Sequence, residues 1–373
     1  MNPQFDVNAA TNAYLALLEG PARARSDAYF EGMYWLPLWS ALIALVLYWV
    51  LLRFGISARI RDWADRTTTR GWLRIALYAL PFTLLTAVLT LPWTIYTDFV
   101  REAQYGMANH SFGGWFGDWM KDLALDLVVT PLMFMAAFAV IRHFPRVWWL
   151  LGAGLMTLFM AFGAMVAPVF VAPLFNTYTE MPAGPLRDRI VAVAAANHIP
   201  AEHIYVSDAS RQTKRISANV SGMGPTIRIT LNDNLLNRTS PDEVVAVMGH
   251  EMGHYVLNHV RNLILGFAVV IALIFFAVSR IAPMLIRRNP EWGVRDVGDT
   301  ASTPVLLGLA TVAGLILTPV QNTLIRTNEV AADRFGLDAA RQPDAFAKVA
   351  MRLSEYRKIS PGPVEEFLFY DHP

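Results

Sequence analysis

The stretch PDEVVAVMGHEMGHYVLNHVRNLILGFAVVIALIFFAVSRIAPMLI, Pro241–Ile286, joins two patterns in one run. Its first part reads as a helix that carries a metal-ligand motif. Its second part, Leu263–Ile286, is apolar over a length that matches a bilayer core of about 30 Å. Ser240 stands at the N-cap, Pro241 at the first helical position and Glu243 three residues after the cap, a capping-box start. Further along, His250-Glu251-Met252-Gly253-His254 is an H-E-x-x-H motif. Histidines four apart lie on one helical face, one turn apart. Both imidazoles can reach one zinc ion, and the carboxylate between them stands beside a metal-bound water.

Two histidines leave zinc under-coordinated, because a catalytic site has three protein ligands and an open position. Asn328-Glu329-Val330-Ala331-Ala332-Asp333 supplies the best third ligand, Glu329. Asp333, four residues on and on the same face, can accept a hydrogen bond from the free ring nitrogen of a bound histidine and fix its tautomer. The chain has no cysteine, so a thiolate site, a disulfide and a cysteine nucleophile are excluded, and the metal takes nitrogen and oxygen ligands. The expected set is one Zn2+ per chain on His250, His254 and Glu329, with Asp333 orienting. Glu251 is the expected general base: it takes a proton as water attacks a peptide carbonyl and returns it to the leaving amine. His259 falls off the metal face and is not expected to bind. His110, His143, His198 and His203 have no motif around them, and Met107, Met120, Met133 and Met156 read as packing residues.

Hydrophobic residues make up 54% of the 373 and charged residues 16%, against about 25% charged in a soluble domain. The deficit lies in six apolar runs: Met33–Leu52, Leu73–Tyr96, Leu123–Ile141, Trp148–Val171, Leu263–Ile286 and Pro304–Thr323. Tryptophans at run ends (Trp35, Trp49, Trp72, Trp93, Trp148) fit an aromatic belt. This is a mainly α polytopic membrane protein, not a soluble enzyme. A net charge of +1 without a basic cluster gives no argument for nucleic acid. Met1–Ala28 lacks the layout of a signal peptide and reads as a short amphipathic helix. Between runs four and five the composition turns mixed: a helix over Leu186–His198, a strand at His203–Val206 and a half-buried strand at Thr226–Asn232. Arg326 onward reads as helical to about Lys358. The organisation is 1–32 polar, 33–171 spans one to four, 172–262 the domain with the H-E-x-x-H helix, 263–323 spans five and six, and 324–373 the C-terminal part of that domain.

These residues resemble the type 1 CAAX prenyl proteases, membrane zinc metallopeptidases of the gluzincin class. The resemblance runs through Leu91-Pro92-Trp93-Thr94-Ile95-Tyr96, Ile141-Arg142-His143-Phe144-Pro145, Ala172-Pro173-Leu174-Phe175-Asn176, Ser217-Ala218-Asn219, Val247–His254, Glu329–Asp333 and Phe369-Tyr370-Asp371-His372-Pro373. It implies tilted membrane helices around a water-filled chamber, capped by an α+β metalloprotease domain. It implies that His372 assists the oxyanion and that Arg326 is the arginine preceding the glutamate ligand. It also implies that Asn219 and the strand at Arg228, Ile229 and Thr230 form the edge on which an extended peptide pairs. The family has seven spans where six are counted here, and other residues where Thr327 and Asn328 stand.

Arg53, Arg59, Arg61, Arg66 and Arg70 fill the first connection, and Arg142, Arg146, Arg287, Arg288 and Arg295 fall on the same side. Positive-inside logic puts the protease domain outside the cytoplasm; in a bacterium it would face the periplasm from the inner membrane. The resemblance implies peptide substrates with an apolar or lipidated tail, in a protein surrounded by membrane lipids. General membrane-protein quality control is the alternative within the same chemistry. A non-enzymatic zinc-binding membrane protein is disfavoured by Glu251, since a structural site needs no base.

Overall fold

The computed structural model describes residues 6–199, 203–221 and 227–372. A short helix α1 (Val7–Leu15) precedes α2 (Gly20–Arg53), which begins well before the first apolar run. Then come α3 (Ile56–Thr67), α4 (Gly71–Ile95), a π turn (Tyr96–Val100) continued by α5 (Arg101–Gln104), α6 (Phe112–His143) and α7 (Trp148–Val166). Gly20–Arg53, Gly71–Gln104, Phe112–His143, Trp148–Leu174 and the later His259–Arg288 are long and apolar enough to cross a membrane. Prolines 37, 81, 92, 131 and 283 lie inside these helices, each removing one backbone donor without ending the helix.

The mixed region holds β1 (Tyr178–Glu180), α8 (Pro185–Ala196), β2 (Ile204–Ser207), β3 (Ala218–Ser221), β4 (Arg228–Asn232), α9 (Asp233–Arg238) and α10 (Pro241–Val256). The sheet order is β1-β2-β4-β3, with β2 and β4 parallel and the outer pairs antiparallel. β4 was expected as a half-buried strand beginning at Thr226. Thr226 lies outside the described residues, and β4 is an interior strand with Ile229, Thr230, Leu231 and Asn232 all buried. Its period-two pattern is real, but both faces are covered. The core beneath it joins Ile190, Ile204, Ile229, Leu231, Met248 and Met252.

Beyond α10 the chain turns at Asn258, which adopts the left-handed conformation (φ 57°), into α11 (His259–Arg288). Asparagine tolerates that backbone better than other side-chain-bearing residues. α12 (Thr303–Ile316), α13 (Thr318–Ala340), α14 (Pro343–Leu353) and α15 (Pro363–Phe369) complete the chain. The run Pro304–Thr323, read above as the sixth span, is bent: α12 and α13 meet at 55°. Pro319 is the cause, because its ring would clash with the carbonyl one turn back and it offers no N–H. The Gly314 carbonyl left at the break accepts from the Thr318 hydroxyl and the Gln321 amide, both at 3.2 Å. The helical reading from Arg326 to Lys358 also divides, at Arg341 (φ 52°).

The spans touch in a closed cycle, α2–α4–α6–α7–α11–α12 and back to α2. Their buried apolar residues gather at the end away from the sheet, where Leu52, Ile75, Phe138, Trp148, Ile286 and Val305 form one core. Around it Arg61 and Asp299 form a buried ion pair, and Ser57 bonds Tyr78 at 2.7 Å. Few residues of each apolar window are buried, and none in the most apolar stretch of the helix Trp148–Leu174. The helices therefore meet along narrow seams and converge into a floor, with the sheet layer at the other end.

α10 and α13 pack unusually closely, through glycine. A Cβ on Gly336 would stand 2.8 Å from the His250 backbone nitrogen, and one on Gly249 would stand 3.0 Å from the Gly336 oxygen. Gly336→Ala is expected to destabilise the protein by about 1–3 kcal/mol through overpacking. Gly314→Ala, with nothing within 4 Å of the added atom, should be neutral or stabilising in thermal unfolding in detergent. Equal melting shifts for the two would refute this account of the interface.

Candidate active site

Three faces of α10 do three tasks. Val244, Met248 and Met252, four apart, are buried beneath the sheet. Gly249 and Gly253 admit Ala332, Gly336 and Ala340 of α13, themselves four apart. His250 and His254 look into a cleft of about 560 Å³. The helix starts with the expected capping box: Ser240 N donates to Glu243 Oε2 at 2.6 Å, and Glu243 N to Ser240 Oγ at 3.3 Å. Glu243, 1% exposed, also receives Arg352 Nε of α14 at 2.9 Å, which ties the start of α10 to the wall of the cleft.

The bend at Leu317 aims α13 so that Glu329 faces the histidine pair. Glu329 Oε2 stands 3.3 Å from His250 Nε2, and Oε1 stands 3.5 Å from His254 Nε2. The two Nε2 atoms are 3.0 Å apart. His250, His254 and Glu329 thus offer ligand atoms all within 4.8 Å of one another, a group that can hold a metal ion. Two imidazoles and a carboxylate are the donor set of an open catalytic site. His250 Nδ1 donates to Asp333 Oδ1 at 2.7 Å, which leaves Nε2 with its lone pair for a ligand bond.

The electrostatics favour positive charge at this point. At His250 burial disfavours the imidazolium, yet the Asp333 and Glu329 carboxylates outweigh it and raise the group to about 10. Burial, with His250 beside it, drops His254 to about 4. Burial lifts the Glu251 carboxyl to about 7, against the pull of His250.

Other sequence expectations fall differently. His372 reaches the group, with Nε2 3.6 Å from Glu329 Oε2 and Nδ1 donating to Asp371 Oδ1 at 2.8 Å. Arg326 does not touch the ligands. Its Nη1 donates to the carbonyls of Tyr370 (2.6 Å) and Glu366 (2.8 Å), so it clamps the end of α15 from which His372 extends. His259 is not part of the ligand group, but it is not remote: the turn at Asn258 brings its Nδ1 to 2.9 Å from His254 Nδ1. The strand expectation needs correction. β4 is spent on both sides, on β2 and β3, so Arg228, Ile229 and Thr230 cannot pair with an added strand. Ile229 is fully buried in the core. The outer strand beside the cleft is β3, and Ser217 and Ala218 line the cleft. The side chains of Asn219, Arg228 and Thr230 instead line a separate cavity.

Sequence reasoning passed over Gly249 and Gly253. The signal was present as a G-x-x-x-G pattern straddling the H-E-x-x-H motif, a known way to bring helices together. It also passed over the apolar wall of the cleft, Phe346, Val349, Met351 and Leu353, all contributed by α14.

Residues 19–177 match the family model for the CAAX prenyl protease N-terminal region, five membrane helices, and residues 180–373 match Peptidase family M48. The uncharacterized metalloprotease YhfN of Bacillus subtilis is 27% identical over 83% of this chain and 72% of its own. CAAX prenyl protease 1 of Saccharomyces cerevisiae is 26% identical over 78% and 67%. The human CAAX prenyl protease 1 homolog is 26% identical over 90% and 80%. In fold, the chain is similar to the crystal structure of S. mikatae Ste24p, with a TM-score of 0.76 at 21% identity over 97% of this chain and 91% of that one. With a His-His-Glu group able to hold a metal at the head of its membrane helices, this chain belongs to peptidase family M48 and is a multi-pass membrane metalloprotease of the CAAX prenyl protease 1 type.

Proposed function

We propose that the protein is a zinc endopeptidase acting on peptides with an apolar or lipid-bearing tail, with Glu251 as its general base. The observation that carries this reading is geometric: His250, His254 and Glu329 converge within 4.8 Å of one another in one cleft that Glu251 also lines. A base is most effective when its pKa lies near the working pH. His250, His254 and Glu329 would hold the zinc, which when bound supplies an acidified water and a polarised carbonyl. Glu251 accepts the proton of the attacking water and delivers it to the amine nitrogen that leaves. His372, fixed through Nδ1–H by Asp371, can present an Nε2–H to the carbonyl oxygen only as the imidazolium, and in that form it would offset the charge that builds there. Asp333 keeps His250 in the tautomer that a ligand requires.

The peptide would lie along β3. Asn232 N donates to Ser217 O, so residues 217, 219 and 221 are the bonded positions of that ladder. The backbone groups of Ala218 and Val220 then turn outward, available to an added strand. The closed cycle of spans supports an apolar or lipidated tail, since it can enclose one away from water. The Arg-rich connections meet at the floor, where Arg295 pairs with Asp65 and Arg142 bonds Gly298 O. Positive-inside logic assigns that floor to the cytoplasm and the cleft to the opposite side, periplasmic in a bacterial inner membrane.

Glu251→Gln should retain zinc while hydrolysis falls by about 10²–10⁴-fold; normal turnover would remove Glu251 as base. Glu329→Ala should lose bound zinc, measured by elemental analysis of the detergent-purified protein. Asp333→Ala should weaken zinc affinity by about 10–100-fold in chelator competition, and an unchanged affinity would detach Asp333 from the site. Arg326→Ala should keep its zinc yet lose kcat, because His372 is released while the ligands stay. A matched pair of farnesylated and plain C-terminal peptides separates the substrate readings. Preference for the lipid supports the prenyl-protease activity, and indifference supports general membrane proteolysis.

A further inference from the structure

The two ring nitrogens of His254 face opposite ways. Nε2 looks into the ligand group, 3.0 Å from His250 Nε2 and 3.5 Å from Glu329 Oε1. Nδ1 looks back, 2.9 Å from Nδ1 of His259. The two rings meet edge to face, at 76° with centroids 5.0 Å apart. His259 is 3% exposed, so water does not compete for the bond. The path of the chain builds this contact. On one straight helix, residues five apart lie about 140° apart around the axis and do not meet. α10 instead closes after Val256, where Leu257 N donates to Gly253 O and Asn258 N to Tyr255 O. Asn258 takes the left-handed conformation and α11 begins at once, with Asn262 N on Asn258 O. His259 is thereby the first residue of a membrane span, set against the histidine in the last turn of α10.

A hydrogen bond between two ring nitrogens needs one proton, and the ligand role decides where it sits. His254 Nε2 must keep its lone pair to bind a metal, so the neutral ring carries its proton on Nδ1 and donates. His259 Nδ1 must then accept, which places the proton of His259 on Nε2. His250 has the same arrangement with a different acceptor, since its Nδ1 donates to Asp333. A metal-bound histidine almost always gives its other N–H to such a partner, which fixes both tautomer and ring orientation. Among the described residues, the partner of His254 Nδ1 is His259.

We infer that His259 is the positioning residue of the second ligand, holding His254 as Asp333 holds His250. This rests on the metal reading of the His-His-Glu group. The two acceptors differ in charge. Asp333 is a carboxylate and raises the basicity of His250. His259 accepts as a neutral ring, and so orients His254 without adding a further anion to a site that already holds Glu251, Glu329 and Asp333. The orientation of one ligand is therefore set from the first turn of α11, the span that runs from the cleft to the floor.

The test measures zinc affinity by chelator competition on the full chain, purified in detergent, with three substitutions at this one position. An asparagine amide can put its oxygen near where Nδ1 stands, whereas a glutamine amide extends to where Nε2 stands, away from His254. His259→Asn should keep its affinity within about three-fold of wild type, and His259→Gln and His259→Leu should each lose about 10–100-fold. Proteins loaded with Co2+ give a second readout. The visible ligand-field bands of His259→Gln and His259→Leu should shift, and those of His259→Asn should coincide with wild type. Melting temperatures of the metal-free proteins separate orientation from folding and should not follow the split between Asn and Gln. Should His259→Leu fail to fold, the Asn and Gln pair decides alone. Equal losses in Asn and Gln would make His259 a packing residue and overturn the inference, as would losses that track the metal-free melting temperature. Wild type that binds zinc with every variant matching it loses the positioning role alone. Wild type that holds no zinc loses the metal reading and this role with it.

Discussion

The site depends on how closely two helices can approach. His250 and His254 come from α10 and Glu329 from α13, and the nitrogens and oxygens must converge within a few ångströms. Helices normally pack about 8–10 Å apart, set by the side chains between them. Gly249, Gly253 and Gly336 remove those side chains where the backbones meet, and Ala332 and Ala340 supply the smallest alternatives. The ligand group is in this sense a product of residues that bear no functional atoms. The glycines also explain why the first helical turn of the site is braced from elsewhere, by Glu243 and Arg352: a glycine-rich helix is intrinsically weak, and its capping box and the bond from half-exposed Arg352 to buried Glu243 offset that weakness.

Much of this was legible along the chain. The capping box at Ser240, the four-residue spacing of the histidines and the position of Asp333 relative to Glu329 are local rules, each fixed by one helix's geometry. The apolar runs were legible for the same reason, since a bilayer sets a length that composition alone reveals. What was not legible was non-local. The sixth apolar run looks continuous because Pro319 follows thirteen apolar-rich residues, and only packing reveals that the chain bends there rather than kinking mildly as at Pro81 or Pro131. β4 shows a clean alternation, yet which strands flank it depends on β3, whose Ala-Asn-Val-Ser alternation is only four residues long and too short to stand out. Interior position then overrides the expectation that its backbone is free. The nearness of His259 to His254 was not legible from spacing, because the left-handed Asn258 ends the helix before His259 and turns it back.

The membrane part and the cleft are joined at few points. The floor has its own apolar core and the sheet layer has another, and between them the spans bury little. α11 is the continuous connection, leaving α10 at Asn258 and ending in the floor. Polar links secure the same junction from the side: Tyr29 bonds Glu102 at 2.6 Å, and Arg215 of the sheet layer reaches Glu102 at 2.9 Å.

The segment that carries His372 is held against α2. Tyr34 stacks on Phe369 at 4.3 Å between ring centres, and its hydroxyl bonds Glu365 at 2.8 Å across 331 residues of sequence. Lys358 meets Glu31 in the same way. Contacts so distant along the chain close large loops and form late in folding. While α15 is still unmade, Tyr34 of α2 lacks its partners Glu365 and Phe369, and His372 is not yet in the cleft. A growing chain can therefore complete this wall of the cleft only after α15 has been made, so the cleft is closed last by the part of the chain made last.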